Sequence, residues 1–162
     1  MTVMATAHGT ASALIAAPPA TVFRAITDID RLPTWNAIMH SVVERPSELV
    51  PGAEWVVEFN ALGQTWHSRS VLETLDPTQR RFEYRAGTDD GNPSRALWAW
   101  QVDDDPTGSR VTVSWDLRPV TFWRRVLFVR IRGRQLARTE VPESLRALAA
   151  HVVDPQGSDV AS

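Results

Sequence analysis

The apolar positions of the chain follow a strand period, then a helical period, then a strand period again. Residues 10–16 favour a first strand, and Pro18 and Pro19 after it suit the first turn of a helix. Apolar residues then recur at helical spacing, at Val22, Phe23, Ile26 and Ile29. Residues 31–37 follow as a second short helix or turn that contains Trp35.

Beyond residue 40, apolar and polar residues alternate, which is typical of half-buried strands. The alternation predicts a weak strand over 41–45 and stronger ones over 54–60, 65–75, 81–85, 96–102 and 111–117. Because the connecting loops are short, neighbouring strands should pair antiparallel. Residues 121–153 favour one long helix with a kink at Pro142, and this helix should bury its apolar face on the sheet. The predicted class is therefore α+β.

The tryptophans mostly share the apolar phase of the predicted strands. The chain has seven of them and a single Tyr. Trp55, Trp98, Trp100 and Trp115 alternate in step with valines, and Phe59 is in phase with Trp55, so all should face inward. They either fill the core or line a pocket for a flat ligand. Tyr84, in phase with Phe82, is a core residue or a donor to a ligand carbonyl.

The strand over 65–75 carries hydroxyls and charges on opposite faces. Ser68, Ser70, Leu72 and Thr74 are in phase with Trp66, whereas His67, Arg69 and Glu73 take the opposite phase. The serines are hydrogen-bonded inner residues or ligand contacts, and the charged residues should form a solvated outer face. A one-residue bulge would reverse this assignment, because it moves each side chain to the other face.

The predicted C-terminal helix has one apolar face and is rich in Arg. Its apolar face contains Phe122, Val126, Val129, Gly133 and Leu136, and Glu140 falls on the same face. A carboxylate on the cavity side of a helix would have a raised pKa and could act as an acid or base, unless an Arg pairs with it. Residues 118–138 contain seven Arg and no acid, among them Arg124, Arg125, Arg130 and Arg132. They form a solvated face or a contact surface for an anionic membrane or an acyl carrier protein.

Composition removes several classes of chemistry. The 162 residues are about one domain's length, which we place over 8–153 with flexible termini at 1–7 and 154–162. The chain has no Cys and no Lys, which excludes disulfides, thiolate chemistry and lysine Schiff bases. No two His are four residues apart, the net charge is −2 and no apolar run spans a bilayer. We expect a cytoplasmic protein without metal, cofactor or nucleic-acid partner.

Four stretches resemble the Bet v 1-like (START-like, SRPBCC) superfamily, in its bacterial polyketide cyclase/dehydrase branch. They are residues 16–36, with Pro18, Pro19 and Leu32 to Asn36; residues 71–82; residues 100–112; and Glu140 with Ser144, Leu145 and Leu148. The resemblance implies a helix-grip fold, in which a curved antiparallel sheet of six to seven strands wraps a long C-terminal helix around a hydrophobic cavity. It also implies that Trp35 lies near the cavity mouth.

The resemblance leaves three functions open. The first is a cofactor-independent cyclase or dehydratase acting on a polyketide-like or other aromatic substrate, for which the polar candidates are Glu140, Tyr84, Ser68 and Ser70. The second is a carrier or sensor for a lipid or aromatic metabolite, and the third is an accessory protein docking through its basic helix. The protein would be a monomer or homodimer. The expected ligand-binding residues are Trp35, Trp55, Phe59, Trp66, Tyr84, Trp98, Trp100, Trp115 and Val126.

Overall fold

The computed structural model describes residues 7–36, 39–61, 63–88, 95–118 and 140–153. Strand β1 precedes two short helices, strands β2 to β7 follow, and helix α3 closes the described chain. The elements are β1 (Ala7–Ile15), α1 (Pro19–Thr27), a 3₁₀ turn (Ile29–Arg31), α2 (Leu32–Trp35), β2 (Met39–Glu44), β3 (Glu54–Ala61), β4 (Gln64–Asp76), β5 (Arg81–Thr88), β6 (Arg95–Asp105), β7 (Gly108–Arg118) and α3 (Val141–Val153).

The seven strands form one antiparallel sheet in the order β1-β7-β6-β5-β4-β3-β2. Strands β2 to β7 are a meander, and β1 lies beside β7, with Ala7 opposite Leu117 and Ile15 opposite Ser109. The predicted α+β class is confirmed. Short connections explain the meander, because hairpin loops join consecutive antiparallel strands as neighbours.

The helices lie against one side of this sheet, which we call the inner face. Helix α1 begins with Pro19 in its first turn, as predicted, and packs on β6 and β7, while α3 packs on β1. Helix α3 buries one stripe of residues, formed by Val141, Ser144, Leu145, Leu148 and Val152. Pro142 is the second residue of α3 as described, and the residue four positions before it, with which its missing N–H would bond, lies outside the described residues. The rest of the predicted long helix, residues 121–139, lies outside the described residues.

One end of the inner face forms the core of the fold. Ile15, Val102, Val111 and Val113 are almost fully buried and belong to one cluster with residues of α1, α2 and α3. At that end the hydroxyl of Ser109 donates to the carbonyl oxygen of Ala17 at 2.6 Å, which joins β7 to the start of α1. The other end of the same strands is less buried, and this difference positions the candidate site.

A bulge in β4 corrects one prediction from the sequence. The β4–β5 register shifts between Leu72 and Thr74, so that Leu75, rather than Thr74, lies opposite the buried Phe82. Thr74 is thereby moved off the inner face, because one extra residue reverses the phase of everything after it. The bulge comes after Ser68, Arg69 and Ser70 along the chain, and their predicted phase holds. The termini expected to be loose lie, except for Ala7, outside the described residues.

Candidate ligand-binding site

The inner face carries small residues where β4, β5 and β6 lie side by side. Ser70 pairs with Ala86, and Ala86 pairs with Ala96 on the next strand. Ser68 is the next inward-facing residue along β4. We call these four residues, Ser68, Ser70, Ala86 and Ala96, the floor. Because inward-facing neighbours on adjacent strands are about 5 Å apart, the floor is a patch of small side chains in an otherwise bulky surface.

Two aromatic pairs stand on opposite sides of this floor. On one side, Phe59 of β3 and Trp66 of β4 stack, with ring centroids 5.6 Å apart and planes 17° from parallel. On the other side, Tyr84 and Trp98 lie opposite each other on β5 and β6. All four are only partly buried. We call them the aromatic wall, and the wall with the floor forms a surface of aromatic rings and small side chains.

Two of the remaining tryptophans of the inner face pack against rings of the aromatic wall. Trp55 is 1% exposed and contacts Tyr84 edge to face, at a centroid distance of 5.2 Å. Trp115 is 3% exposed and packs against Trp98 at 6.0 Å. Trp100 is also buried. These three rings are buried in the described structure, and their contact with a ligand stays a prediction.

Trp35, which the resemblance placed near the cavity mouth, is buried. It is 2% exposed and meets Trp100 edge to face, at 5.5 Å and 84°. Its Nε1–H has no hydrogen-bond partner among the described residues. An indole N–H can only donate, and an unpaired buried donor costs about 1–3 kcal/mol. This donor therefore favours an acceptor, supplied by water or by a ligand.

Tyr84 is the one titratable side chain of the aromatic wall. Burial raises its pKa to about 12, although a hydrogen bond from the indole N–H of Trp100 opposes the shift. The phenol is therefore neutral and protonated at physiological pH. An indole N–H can only donate, so the group of Tyr84 on which Trp100 acts is the phenol oxygen.

Ser68 and Ser70 lie on the buried floor, as their phase predicted. Neither hydroxyl makes a hydrogen bond to another described side chain or backbone group. Their neighbours across the sheet are Val57 and Trp55 on β3, so they have apolar surroundings. A nucleophilic serine needs an adjacent base, and no described His lies next to either one. The two serines can act as hydrogen-bond donors and acceptors.

The charged residues of β4 lie on the outer face. Arg69 is 3.2 Å from Glu44, His67 is 3.1 Å from Glu58 and Glu73 is 3.1 Å from Arg85. The pairs of His67 and of Glu73 join neighbouring strands, whereas the pair of Arg69 crosses over β3 to β2. All three lie on the side away from the helices. No guanidinium therefore reaches the floor from β4, and the inward Arg that would polarise a polyketide carbonyl is not supplied by this strand.

The helix candidates are only partly visible. Glu140 is half-buried, just before α3, and is engaged by a partner of its own. Val126 and the basic residues Arg124, Arg125, Arg130 and Arg132 lie outside the described residues. Their proposed contacts with a ligand, a membrane or an acyl carrier protein remain predictions.

A trough of about 640 Å³ is lined mainly by the outer face of β1 and of β4 to β7, and it is also bordered by Gly9, Tyr84, Trp98 and Trp115. Its polar groups are already engaged: Glu73 pairs with Arg85, His8 lies 3.6 Å from Asp116 and the Thr10 hydroxyl bonds the Ser114 hydroxyl. Within the described ranges no group of three or more His, Asp or Glu could hold a metal ion. None of the helices described is long and apolar enough to cross a bilayer.

The sequence did not reveal the floor. Ala86 and Ala96 are ordinary strand residues, and only the register shows that they adjoin Ser70. Gly9 was missed for the same reason. A Cβ placed on Gly9 would come within 2.1 Å of the Trp115 ring, so the missing side chain makes room for that indole. The signal available in the sequence was a glycine inside an alternating strand.

The family model described as polyketide cyclase / dehydrase and lipid transport matches residues 6–153. The chain belongs to this family. The match spans nearly the whole sequence, including every described element. Membership confirms the Bet v 1-like resemblance and implies that the protein binds a hydrophobic small molecule. No curated protein matches the chain in sequence.

Solved structures confirm the helix-grip fold. A protein from Chromobacterium violaceum aligns with a TM-score of 0.68 and 22% identity over 90% of this chain and 96% of its own. Ara h 8.0201 aligns with a TM-score of 0.66 and 16% identity, over 91% and 98%. The major latex-like protein 151 of Panax ginseng gives 0.69 and 12%, over 90% and 97%. At these identities the likeness concerns the fold alone.

Proposed function

We propose that this protein binds a flat hydrophobic molecule between the floor and the aromatic wall, and that it acts as a carrier or sensor. The supporting observation is the register that places Ser70, Ala86 and Ala96 side by side, with partly exposed aromatic rings on both sides. Small residues there leave space that larger ones would fill. A binding protein needs such an apolar concave surface with few polar groups, and no catalytic constellation.

The first test is native mass spectrometry of the purified protein, followed by denaturation and extraction of what it holds. A carrier is expected to release an aromatic or lipid-like compound, recovered chemically unchanged. An empty protein that also fails to bind any flat hydrophobic probe would contradict the proposal.

A pair of matched variants locates the site. Ala96→Leu places a larger side chain on the floor, whereas Ala99→Leu makes the same change on the outer face of the same strand, opposite Ser114. We expect Ala96→Leu to weaken binding of the extracted compound at least tenfold and Ala99→Leu to leave it unchanged. Equal effects of the two variants would show that binding does not depend on the floor.

A second candidate function is cyclisation or dehydration of the bound molecule. It is favoured by the neutral Tyr84 phenol at the wall, whose pKa of about 12 suits hydrogen-bond donation to a carbonyl, and by the half-buried Glu140. Such an enzyme would hold a flexible chain in one folded conformation and move protons. Glu140→Gln should then abolish turnover of the extracted compound while binding is retained. Turnover that survives this change would remove Glu140 from the proposal.

A further inference from the structure

The two edges of the sheet differ in how well they resist pairing with another strand. Strand β1 is the edge at one end of the described sheet, and β2 is the edge at the other. An edge strand presents a row of N–H and C=O groups that can pair with a further strand. Charged side chains, proline, bulges and a short length are the features that prevent such pairing.

Strand β2 has all four of these protective features. It is six residues long, Met39–Glu44, and two register shifts interrupt its pairing with β3. The carboxylate of Glu44 ends the strand and pairs with Arg69, and Arg45 and Pro46 follow directly. A strand that approached this edge would form few consecutive backbone hydrogen bonds, because each bulge breaks the ladder.

Strand β1 is longer, regular and almost uncharged. It pairs with β7 over nine consecutive residues, from Ala7 to Ile15, in unbroken register. The sequence over 7–15 contains no Pro, Asp, Glu or Arg, and its one titratable side chain is at position 8, near the end. The exposed outer-face residues of the strand are His8, Thr10, Ser12 and Leu14. The β1 edge therefore has the properties of a strand that accepts a partner.

A second copy of β1 fits this edge, because an antiparallel strand is complementary to itself about a two-fold axis. An axis through Ala11, perpendicular to the sheet, pairs all nine residues of each strand and so gives the longest backbone ladder. On the outer face, Thr10 then lies opposite Ser12 of the second copy, and such hydroxyl pairs stabilise a sheet. On the inner face, Gly9 lies opposite Ala13 of the second copy, so only small side chains meet there.

Leu14 adds an apolar contact at the same edge. Its side chain is 54% exposed although it lies within a strand. In the pairing about Ala11 it lies opposite His8 of the second copy, and the two-fold axis repeats this contact. Each contact removes apolar surface from water, which favours association.

We propose that this protein forms a symmetric dimer in which the two β1 strands pair antiparallel about Ala11 and join two seven-stranded sheets edge to edge. Nine residues a side is a small interface, since standard interfaces have about 20–30. The dimer is therefore weak and reversible, and its population rises with protein concentration. The floor and the aromatic wall lie on β3 to β6, so this dimer forms without a ligand.

Sedimentation equilibrium of the full chain, from micromolar to millimolar protein, measures the association. We expect a monomer at the lowest concentration and a reversible dimer at the highest. Hydrogen exchange followed by NMR at both concentrations locates the interface, because amides exchange slowly where they are hydrogen-bonded. The β1 amides that point away from β7 should exchange more slowly in the dimer, and the β2 amides should not change.

Three results of these measurements would overturn the proposal. The first is a protein that remains monomeric at millimolar concentration. The second is a dimer whose formation slows exchange elsewhere than in β1. The third is slow exchange of the outward β1 amides at every concentration, which would show that another segment of the same chain covers the edge.

Two double variants test the register of the pairing. Thr10→Glu with Ser12→Glu places like charges opposite each other on both sides of the axis. We expect it to raise the dissociation constant of the dimer roughly two- to thirtyfold. Thr10→Arg with Ser12→Glu places opposite charges at the same positions and should dimerise at least as tightly as the native chain. Equal weakening by both variants would contradict the axis through Ala11.

A matched control puts the same two added acids on the other edge. His40→Glu with Val43→Glu changes exposed residues of β2 and should leave the dissociation constant unchanged. Circular dichroism confirms that each variant is folded, and the exchange measurement on the native protein tests the interface independently of the variants. A loss of dimer in the β2 variant equal to that in the two-glutamate β1 variant would place the interface elsewhere and overturn the proposal.

Discussion

Arg69 and Ser70 are adjacent in the chain, yet they belong to two surfaces of opposite character. Arg69 lies on the outer face, one-third exposed and paired with Glu44. Ser70 lies on the inner face, 3% exposed, between Trp55 and Ala86. The period of two in a strand separates them, because successive side chains point to opposite sides of the sheet. The outer face carries ion pairs in contact with water, whereas the inner face carries aromatic rings and small side chains.

The comparison indicates which face of the sheet can bind a ligand without breaking existing contacts. On the outer face each charged group of β4 and β5 named above already has a partner, so a ligand would have to displace an existing contact. On the inner face the rings of Phe59, Trp66 and Trp98 are partly accessible. The predictions below challenge this division, beginning with the one for which we expect the largest effect.

Truncation of a buried ring should destabilise the protein far more than truncation of an outer-face cation. Trp55 packs against Phe82 at 6.0 Å and against Tyr84 at 5.2 Å. Trp55→Ala should lower the free energy of unfolding by about 3–5 kcal/mol, because it leaves a cavity. Arg69→Ala, on the neighbouring strand, should cost about 1 kcal/mol or less. Urea denaturation measures both values, and comparable losses would mean that the two faces are not distinct in packing.

Gly9→Ala should disturb the inner face through Trp115. The added Cβ would lie 2.1 Å from the indole, so the ring must move, at a cost of about 1–3 kcal/mol for overpacking. Trp115→Phe frees space beside Gly9, and the costs of the two changes should be less than additive in the double variant. Additive losses in a double-mutant cycle would show that Gly9 and Trp115 are not coupled.

Stability should fall at alkaline pH because of Tyr84. Its pKa is about 12 in the folded protein against 10.0 for the free side chain. The neutral Tyr84 phenol therefore makes its full contribution to the free energy of unfolding below pH 10. This contribution is lost as the pH rises from about 10 towards 12. Tyr84 is the single tyrosine, so phenolate absorbance at 295 nm reports it alone. A titration midpoint near 10 in the folded protein would contradict the buried, neutral phenol.

The smallest effect is expected from an outer-face ion pair. Arg85 and Glu73 are 3.1 Å apart, and both side chains are more than two-fifths exposed. A double-mutant cycle with Arg85→Met and Glu73→Gln should give a coupling of about 0–1 kcal/mol. This coupling should weaken further in 1 M salt. A coupling that is large and independent of salt would indicate that the outer face is desolvated like the inner one.

The sequence predicted the architecture because alternation and turn residues carry that information locally. It placed Ser68 and Ser70 inward, Arg69 outward and Pro19 in the first turn of a helix, and the structure agrees. It failed for Thr74, since a bulge is decided by pairing with β5 rather than by the residues of β4 alone. It also could not show that Ala86 and Ala96 adjoin Ser70, because register depends on contacts between distant segments.

The role of the expected site residues could be predicted only in part. Phase identified the inward tryptophans, but it did not separate the partly exposed Trp66 and Trp98 from the buried Trp55, Trp100 and Trp115. That distinction depends on which elements cover each end of the sheet.

The most direct test of the division between the two faces is an intermolecular NOE experiment with 2-acetonaphthone and the folded protein. The methyl groups of Ala96 and Ala99 lie three residues apart on β6, the first inward beside Ala86 and the second outward opposite Ser114. We expect NOEs from the naphthyl protons to the methyls of Ala86 and Ala96 and to the Trp98 ring, and none to the methyl of Ala99. NOEs to Ala99 and Leu97 in place of Ala86 and Ala96 would place the ligand on the outer face and contradict the site proposed for this protein.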